Sequence, residues 1–241
     1  MNVPALTTDQ MITVDRLMIQ EFAVSLEQMM ENAGHNLADL ARRMLGGALQ
    51  QRSLAVLCGL GNNGGGGMVA ARHLHNWGAR VAVVLAGEAS RLKDTPRHQW
   101  EILARMGLAQ ATPKLAEADL VIDALIGYGM HGEPRPPVAR WIERMNAAQA
   151  PILSLDVPSG LDATTGAAGT SCVRATATLA LALPKTGLLA PGAQDYVGEL
   201  WLADIGVPPE LYRRMGLGVV LAFAEASIVR LAERPQTAQG A

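Results

Sequence analysis

Four segments of this 241-residue chain carry residues able to do chemistry. The first is Gly59-Leu-Gly61-Asn62-Asn63-Gly64-Gly65-Gly66-Gly67, directly after the apolar run Leu54–Cys58. The second joins Asp123 to the loop Gly127-Tyr128-Gly129-Met130-His131-Gly132-Glu133. The third is Asp156-Val-Pro-Ser159-Gly160-Leu-Asp162, and the fourth is Leu183-Pro-Lys185-Thr-Gly187. Glycines let a ligand approach the main chain, and a strand–loop–helix of this composition aims free N–H groups at an anion, usually a phosphate. The two asparagines add side-chain carbonyl oxygens, which suit a cation or an amide-rich ligand. A carboxylate at a strand end beside a flexible loop can bind a metal, orient a sugar hydroxyl or act as a base. Asp123, Asp156, Ser159 and an asparagine amide would form an all-oxygen set for a hard cation. Without a dense carboxylate cluster, that set favours a monovalent ion over a tightly held divalent one. Pro158 and Gly160 fold a sharp turn that displays Asp156 and Ser159 together.

Plainer readings stand beside these. The glycine run can be a turn without function, Asp123 a capping aspartate, His131 an exposed loop residue and Lys185 a surface lysine. His73 and His75 lie two apart on a helix and face apart, so they make no metal pair.

The elements that must position these residues follow from hydrophobic period. Leu26, Met29, Met30, Ala33, Leu37, Leu40, Ala41, Met44 and Leu45 recur at three- and four-residue steps, an amphipathic helix whose methionines belong to the core. Ser25 and Gln28 can cap it and Gly46-Gly47 stops it. Gly34 in its middle costs about 1 kcal/mol relative to alanine, which points to close packing there. Strands are expected at 53–58, 80–86, 119–123, 151–155, 175–183 and 198–203, with helices at about 69–77, 94–106, 137–148 and 208–215 between and after them. The alternation implies a parallel sheet covered on both faces, a Rossmann-like three-layer α/β/α sandwich. Ligands of such sheets gather at the carboxyl ends of strands, where three of the four segments fall. One domain is expected over residues 1–220, followed by a C-terminal segment, 221–241, whose last residues are a disordered tail.

Composition excludes several classes. The chain is about half apolar, enough for a sizeable core. A formal net charge of -2 and the lack of a run of basic residues speak against nucleic acid as a partner. The longest apolar stretches are too short for a membrane span, and the N-terminal residues, with Asp9, Asp15, Arg16 and Glu21, lack a signal-peptide core. Cys58 and Cys172 are far apart, and Cys58 reads as a small core residue at a strand end. A soluble, cytoplasmic protein is expected.

Gly59-Leu-Gly61-Asn-Asn-Gly64 matches G-x-G-x-x-G, the dinucleotide fingerprint, but Glu88 is a poor candidate for the acidic ribose partner and the glycine run delays the helix. The ordered set is more specific. Met-Glu-Asn-Ala-Gly (30–34), Cys-Gly-Leu-Gly-Asn-Asn-Gly-Gly (58–65), Val-Ala-Ala-Arg-His-Leu (69–74), Ile-Asp-Ala-Leu-Ile-Gly (122–127), Asp-Val-Pro-Ser-Gly (156–160) and Leu-Pro-Lys-Thr-Gly-Leu (183–188) occur in sequence. Together they resemble the NAD(P)H-hydrate epimerase family, the YjeF N-terminal domain, over about residues 6–215.

The resemblance implies an isomerase that interconverts the R and S epimers of hydrated NADH or NADPH, so that a separate dehydratase can restore the cofactor. It implies one potassium ion per subunit, held by Asn63, Asp123 and Ser159, and a homodimer. The hydrated nucleotide would be bound by Asn62, Asn63, Gly64, Gly65 and Gly66, by Gly127, Tyr128, Gly129, Met130, His131, Gly132 and Glu133, and by Asp156. Asp156 is the expected catalytic carboxylate, with Lys185 as an acid or as its orienter. Gly66 departs from the family's usual aspartate, which removes one side-chain contact and leaves the backbone contacts available. Two alternatives remain at this level: a non-catalytic scaffold of the same fold that binds ligand and dimerises, and an NAD(P)-dependent dehydrogenase.

Overall fold

In the computed structural model, residues 3–109, 114–130, 132–218 and 222–232 are described. The first element is a helix, α1 (Thr8–Gln20), opened by a Thr7/Gln10 capping box; it is absent from the sequence reading. Next comes α2 (Leu26–Met44), with the expected Ser25/Gln28 capping box. The alternation then runs β1 (Ser53–Cys58), α3 (Asn62–Asn76), β2 (Arg80–Leu85), α4 (Asp94–Arg105), β3 (Leu120–Ala124), α5 (Val138–Asn146) and β4 (Ile152–Leu155). It closes with β5 (Ala177–Leu181), α6 (Gln194–Val197), β6 (Glu199–Ala203), α7 (Pro209–Arg214) and β7 (Ile228–Ala232).

The seven strands form one sheet in the order β2-β1-β3-β4-β5-β6-β7. All pairs are parallel except β6–β7, which is antiparallel. The β7 edge strand lies within the C-terminal segment that the sequence leaves loosely patterned; the remainder, 233–241, where a disordered tail is expected, lies outside the described residues.

Strand periodicity sorts the core into layers. Leu54, Val56 and Cys58 of β1 pack with Leu37, Leu40 and Ala41 of α2 and Met68, Ala71 and Leu74 of α3. Ala55 and Leu57 point the other way, onto Ile142 and Met145 of α5. Cys58 is fully buried, which pushes its thiol well above its ordinary range. A separate cluster joins α1 to α7 through Val14, Leu17, Met18, Leu211 and Tyr212.

One departure from expectation concerns the glycine run. It is not a loop: α3 begins at Asn62, so Gly64–Gly67 form its first two turns. Each glycine costs about 1 kcal/mol of helix propensity, and close packing overrides that cost. A Cβ on Gly64 would stand 2.0 Å from the carbonyl oxygen of Gly59, and one on Gly67 2.5 Å from Cβ of Ala124. Gly34 of α2 supplies the matching groove, where a Cβ would lie 2.4 Å from Cβ of Val69. Bare backbone lets α3 settle against β1, β3 and α2 together, and this brings its N-terminus to the sheet's switch point.

Candidate functional site

β1 has β2 on one side and β3 on the other, so the connections leaving β1 and β3 diverge and open a crevice above their carboxyl ends. A cavity of about 350 Å3 fills that crevice. Its floor and rim are Gly61, Asn62, Asn63 and Gly66 of the α3 start, Leu125 to Gly129 after β3, and Leu155 and Asp156 at the end of β4. Leu26, Met29, Met30 and Ala33 of α2 supply an apolar wall, and Asp15 of α1 closes another side. Met29 and Met30 are buried as expected of core residues, and they also face this cavity.

Two buried carboxylates end adjacent strands. Asp123 of β3 has no exposed surface. Its Oδ1 accepts hydrogen bonds from Ser159 Oγ (2.6 Å) and Leu125 N (3.2 Å). Its Oδ2 accepts from Ser154 Oγ (2.8 Å) and Ser159 N (2.9 Å). Burial pushes its carboxyl above the ordinary value of 3.8, outweighing the pull of the Ser159, Ser154 and Leu125 donors. Ser159 Oγ also accepts from Ile126 N at 2.8 Å and lies 3.2 Å from the Ile126 carbonyl oxygen. Gly160 makes the turn that carries Ser159 back under β3: its φ is +100°, and a Cβ there would meet the Ser171 carbonyl oxygen at 2.1 Å.

Asp156 follows β4 in the left-handed region, φ +69°, a conformation that aspartate tolerates better than most residues. That twist turns its side chain into the cavity, while Ser159 is turned to Asp123. Although they share one tight turn, the two side chains have different partners. Asp156 Oδ1 accepts from Lys185 Nζ in a short contact, and Oδ2 accepts from Tyr128 N at 3.0 Å. Lys185 is fully buried behind Asp156 and donates a second bond to the Leu181 carbonyl at 2.9 Å. The lysine turn is pinned from the N-terminal side: Leu6 N donates to Pro184 O (2.8 Å) and Thr186 N to Leu6 O (2.9 Å).

Asn63 completes the centre. Its side-chain Nδ2 is buried without a hydrogen-bond partner. A Cβ on Gly127 would stand 3.1 Å from Asn63 Oδ1 and 3.1 Å from Asp156 Oδ2, so glycine there keeps the amide and the carboxylate facing one another across open space. The side-chain oxygens of Asn63, Asp123 and Ser159 are the donor type that a hard monovalent cation takes, whereas the unpartnered Asn63 Nδ2 is an N–H donor suited to an acceptor on a bound ligand. Among the described residues, no cluster of three His, Cys, Asp or Glu side chains could hold a metal, so the donor set is not that of a transition-metal site.

Of the sequence-derived binding residues, Asn62, Asn63, Gly66, Gly127, Tyr128, Gly129 and Asp156 line the cavity. Gly64 and Gly65 are buried in α3 against Gly59 and Met30 and do not line it. Glu133 lies further along the loop, accepting from Thr170 N at 2.8 Å beside Gly132 and Met130, and His131 lies outside the described residues. Asp15 was missed. The Tyr128 hydroxyl donates to it in a short contact across 113 residues of sequence, a pairing no local pattern announces.

A largely apolar cavity with a few convergent polar groups, at the switch point of a largely parallel sheet, defines a small-molecule site of the doubly wound α/β class. The family model described as "YjeF-related protein N-terminus" matches residues 26–187, and this chain belongs to that family. An NAD(P)H-hydrate epimerase of Dehalogenimonas lykanthroporepellens is 44% identical over 89% of this chain and 87% of its own length. One of Rhodopirellula baltica is 32% identical over 90% of both chains. A bifunctional NAD(P)H-hydrate repair enzyme Nnr of Moorella thermoacetica is 37% identical over 85% of this chain, which spans 41% of that longer protein. The crystal structure of yeast ynu0 superposes with a TM-score of 0.81 at 20% identity, over 95% of this chain and all of that one, a likeness of fold.

Proposed function

We propose that this chain is an isomerase that interconverts the R and S epimers of hydrated NADH and NADPH. The single observation that carries the reading is the Asp156–Lys185 pair, sealed behind by burial and open in front to the cavity. The names of the relatives support the same activity.

The reaction inverts C6 of the hydrated nicotinamide ring, the carbon that bears the hydroxyl. The ring nitrogen pushes its lone pair toward C6, the C6–O bond breaks with its electron pair going to oxygen, and a proton completes the departing water. A ring cation remains, and water adds to C6 from the other face and gives up a proton. Asp156 is the residue that stabilises the cation and moves a proton at the C6 oxygen. Its two oxygens are fixed by Lys185 Nζ and Tyr128 N, so the carboxylate meets the developing charge without reorganising. Lys185 acts here by orienting Asp156. The apolar wall of Leu26, Met29 and Met30 limits the water that can reach the cation.

Two features bind the rest of the nucleotide. Free N–H groups in the first turn of α3, beside Gly61, Asn62 and Asn63, suit a phosphate, and the Gly127–Gly129 backbone offers further contacts along the rim. Asn63, Asp123 and Ser159 would hold one potassium ion, which would supply positive charge to offset the buried Asp123 carboxylate. The reading carries with it a homodimer, a cytoplasmic setting and a dehydratase that removes the water from the S form. The bifunctional repair enzymes among the relatives favour that coupling. No helix among the described residues is long and apolar enough to cross a membrane.

The test is chromatographic separation of the epimers, incubation of the pure S form with the protein, and measurement of the return of R. Asp156→Ala is expected to abolish this while retaining the fold. An Asp156→Ala protein as fast as wild type would sink the assignment. The scaffold reading, favoured by Gly66, predicts nucleotide binding without interconversion. The dehydrogenase reading lacks an acidic ribose partner beyond β2, where Glu88 is exposed, and predicts oxidation or reduction of the nicotinamide cofactor instead.

A further inference from the structure

The epimerisation proposed above leaves one requirement unmet by Asp156. Water departs from one face of the ring and returns to the other, so a proton must be given on one face and taken on the other. A carboxylate fixed at the end of β4 and held by two donors serves one face. The described residues lining the cavity include a second carboxylate, Asp15, carried by a different element, α1. Asp15 and Asp156 are bound to the two ends of a single residue: the Tyr128 hydroxyl donates to Asp15 Oδ2 and the Tyr128 amide donates to Asp156 Oδ2. Tyr128 thereby spans the cavity edge between them, with Lys185 Nζ 5.8 Å from its ring centroid.

We infer that Asp15, paired with the Tyr128 hydroxyl, is the second proton-transfer group of this site, serving the ring face opposite to Asp156. The inference rests on the epimerase reading. In one direction, protonated Asp15 gives its proton to the C6 hydroxyl, the C6–O bond breaks and water leaves. A second water then attacks C6 from the Asp156 side, and Asp156 accepts the proton that this water sheds. One water leaves, one is added, one proton is given and one is taken. The two carboxylates have exchanged protonation states, and the enzyme stands ready for the reverse epimer.

The surroundings of Asp15 suit a proton carrier. Burial raises its carboxyl above the ordinary 3.8, and the negative charge of Asp156 adds to that. The Tyr128 hydrogen bond and the positive charge of Lys185 pull in the opposite direction without cancelling it. Asp15, Tyr128, Asp156 and Lys185 are therefore joined in one chain of contacts. A carboxyl lifted toward neutrality is matched to proton transfer better than an ordinary one.

The experiment follows pure S epimer and pure R epimer with wild type, Asp15→Asn and Tyr128→Phe, recording kcat, KM and their pH dependence, with thermal unfolding as the control for folding. Asp15→Asn is expected to lower kcat by about 100-fold or more, the scale of one acid–base group, with KM changed far less. The kcat profile should lose one ionisation. Tyr128→Phe retains the carboxylate and removes a hydrogen bond that lowers its pKa, so the same ionisation should move to higher pH. Asp15→Asn with kcat within twofold of wild type and an unaltered pH profile overturns the inference and leaves the epimerase reading standing. Should Asp15→Asn unfold, an unshifted ionisation in Tyr128→Phe overturns it instead. A wild-type protein that interconverts neither epimer overturns the epimerase reading, and this inference with it.

Discussion

Asp123 and Asp156 end neighbouring strands of one sheet, both are buried, and they are furnished in opposite ways. Asp156 faces a lysine ammonium and an open cavity. Asp123 is ringed by two serines and two backbone amides, all neutral donors. The buried carboxylate with a cation behind it is held from the back by an ion pair and open to the cavity in front. One held by neutral donors alone is pushed toward its protonated form by burial, unless a cation arrives. The same residue type at neighbouring strand ends therefore meets two environments, and the proposed function assigns the first to proton transfer and the second to an ion.

The largest effect should come from removing the cation that separates the two. Lys185→Met leaves Asp156 buried without its partner and is expected to lower unfolding free energy by about 3–5 kcal/mol, measured by urea denaturation. A loss below about 1 kcal/mol would mean that the lysine does not set Asp156 apart from Asp123.

Potassium should act on the other carboxylate. Because the folded-state pKa of Asp123 is raised, its contribution to stability is fully present below the unfolded value near 3.8 and is lost as pH rises through the folded value. In potassium-free buffer, stability attributable to Asp123 therefore falls with rising pH above about 4, and Asp123→Asn removes that part of the fall. Adding potassium to roughly 100 times its dissociation constant would restore up to about 2.7 kcal/mol at neutral pH. Thermal melts that are identical with and without potassium, in wild type and in Asp123→Asn, would erase the contrast.

Two glycines sharpen the comparison through the scaffold that both carboxylates share. Gly64→Ala drives a Cβ into the Gly59 backbone and is expected to cost about 1–3 kcal/mol, with reduced nucleotide affinity as the α3 start shifts. Gly66→Ala should have the smallest effect. Its Cβ would meet only the tip of Leu155, at 2.8 Å, and the gain in helix propensity offsets that crowding to within about 1 kcal/mol. A large loss from Gly66→Ala in a calorimetric scan would show that the cavity wall is rigid at this point.

Much of the sheet was legible because buried parallel strands read as short apolar runs between glycine and proline signals. β1 matches its sequence boundaries, and β2 to β6 agree within two residues. α1 was legible in principle: Met11, Val14, Leu17 and Met18 fall on one face, and Thr7 and Gln10 make a capping box. The start of α3 was not. Four consecutive glycines argue against helix by propensity, and only their contacts with Gly59, Met30, Leu155 and Ala124 make helix the better state. β7 is an edge strand whose partner lies across the sheet's end, beyond any local pattern.

By itself the sequence determined the α/β class, the strand ends that carry Asn63, Asp123, Asp156 and Ser159, and the family. Each of these depends on residue type and short-range spacing. Tertiary structure alone decided the division of labour among them. It turned Asp156 by a left-handed φ toward Lys185 and the cavity, turned Ser159 to Asp123, and brought Asp15 from an N-terminal helix onto Tyr128. Charge, burial and hydrogen bonding are properties of neighbours in space, and these neighbours are separated by up to 113 residues of chain.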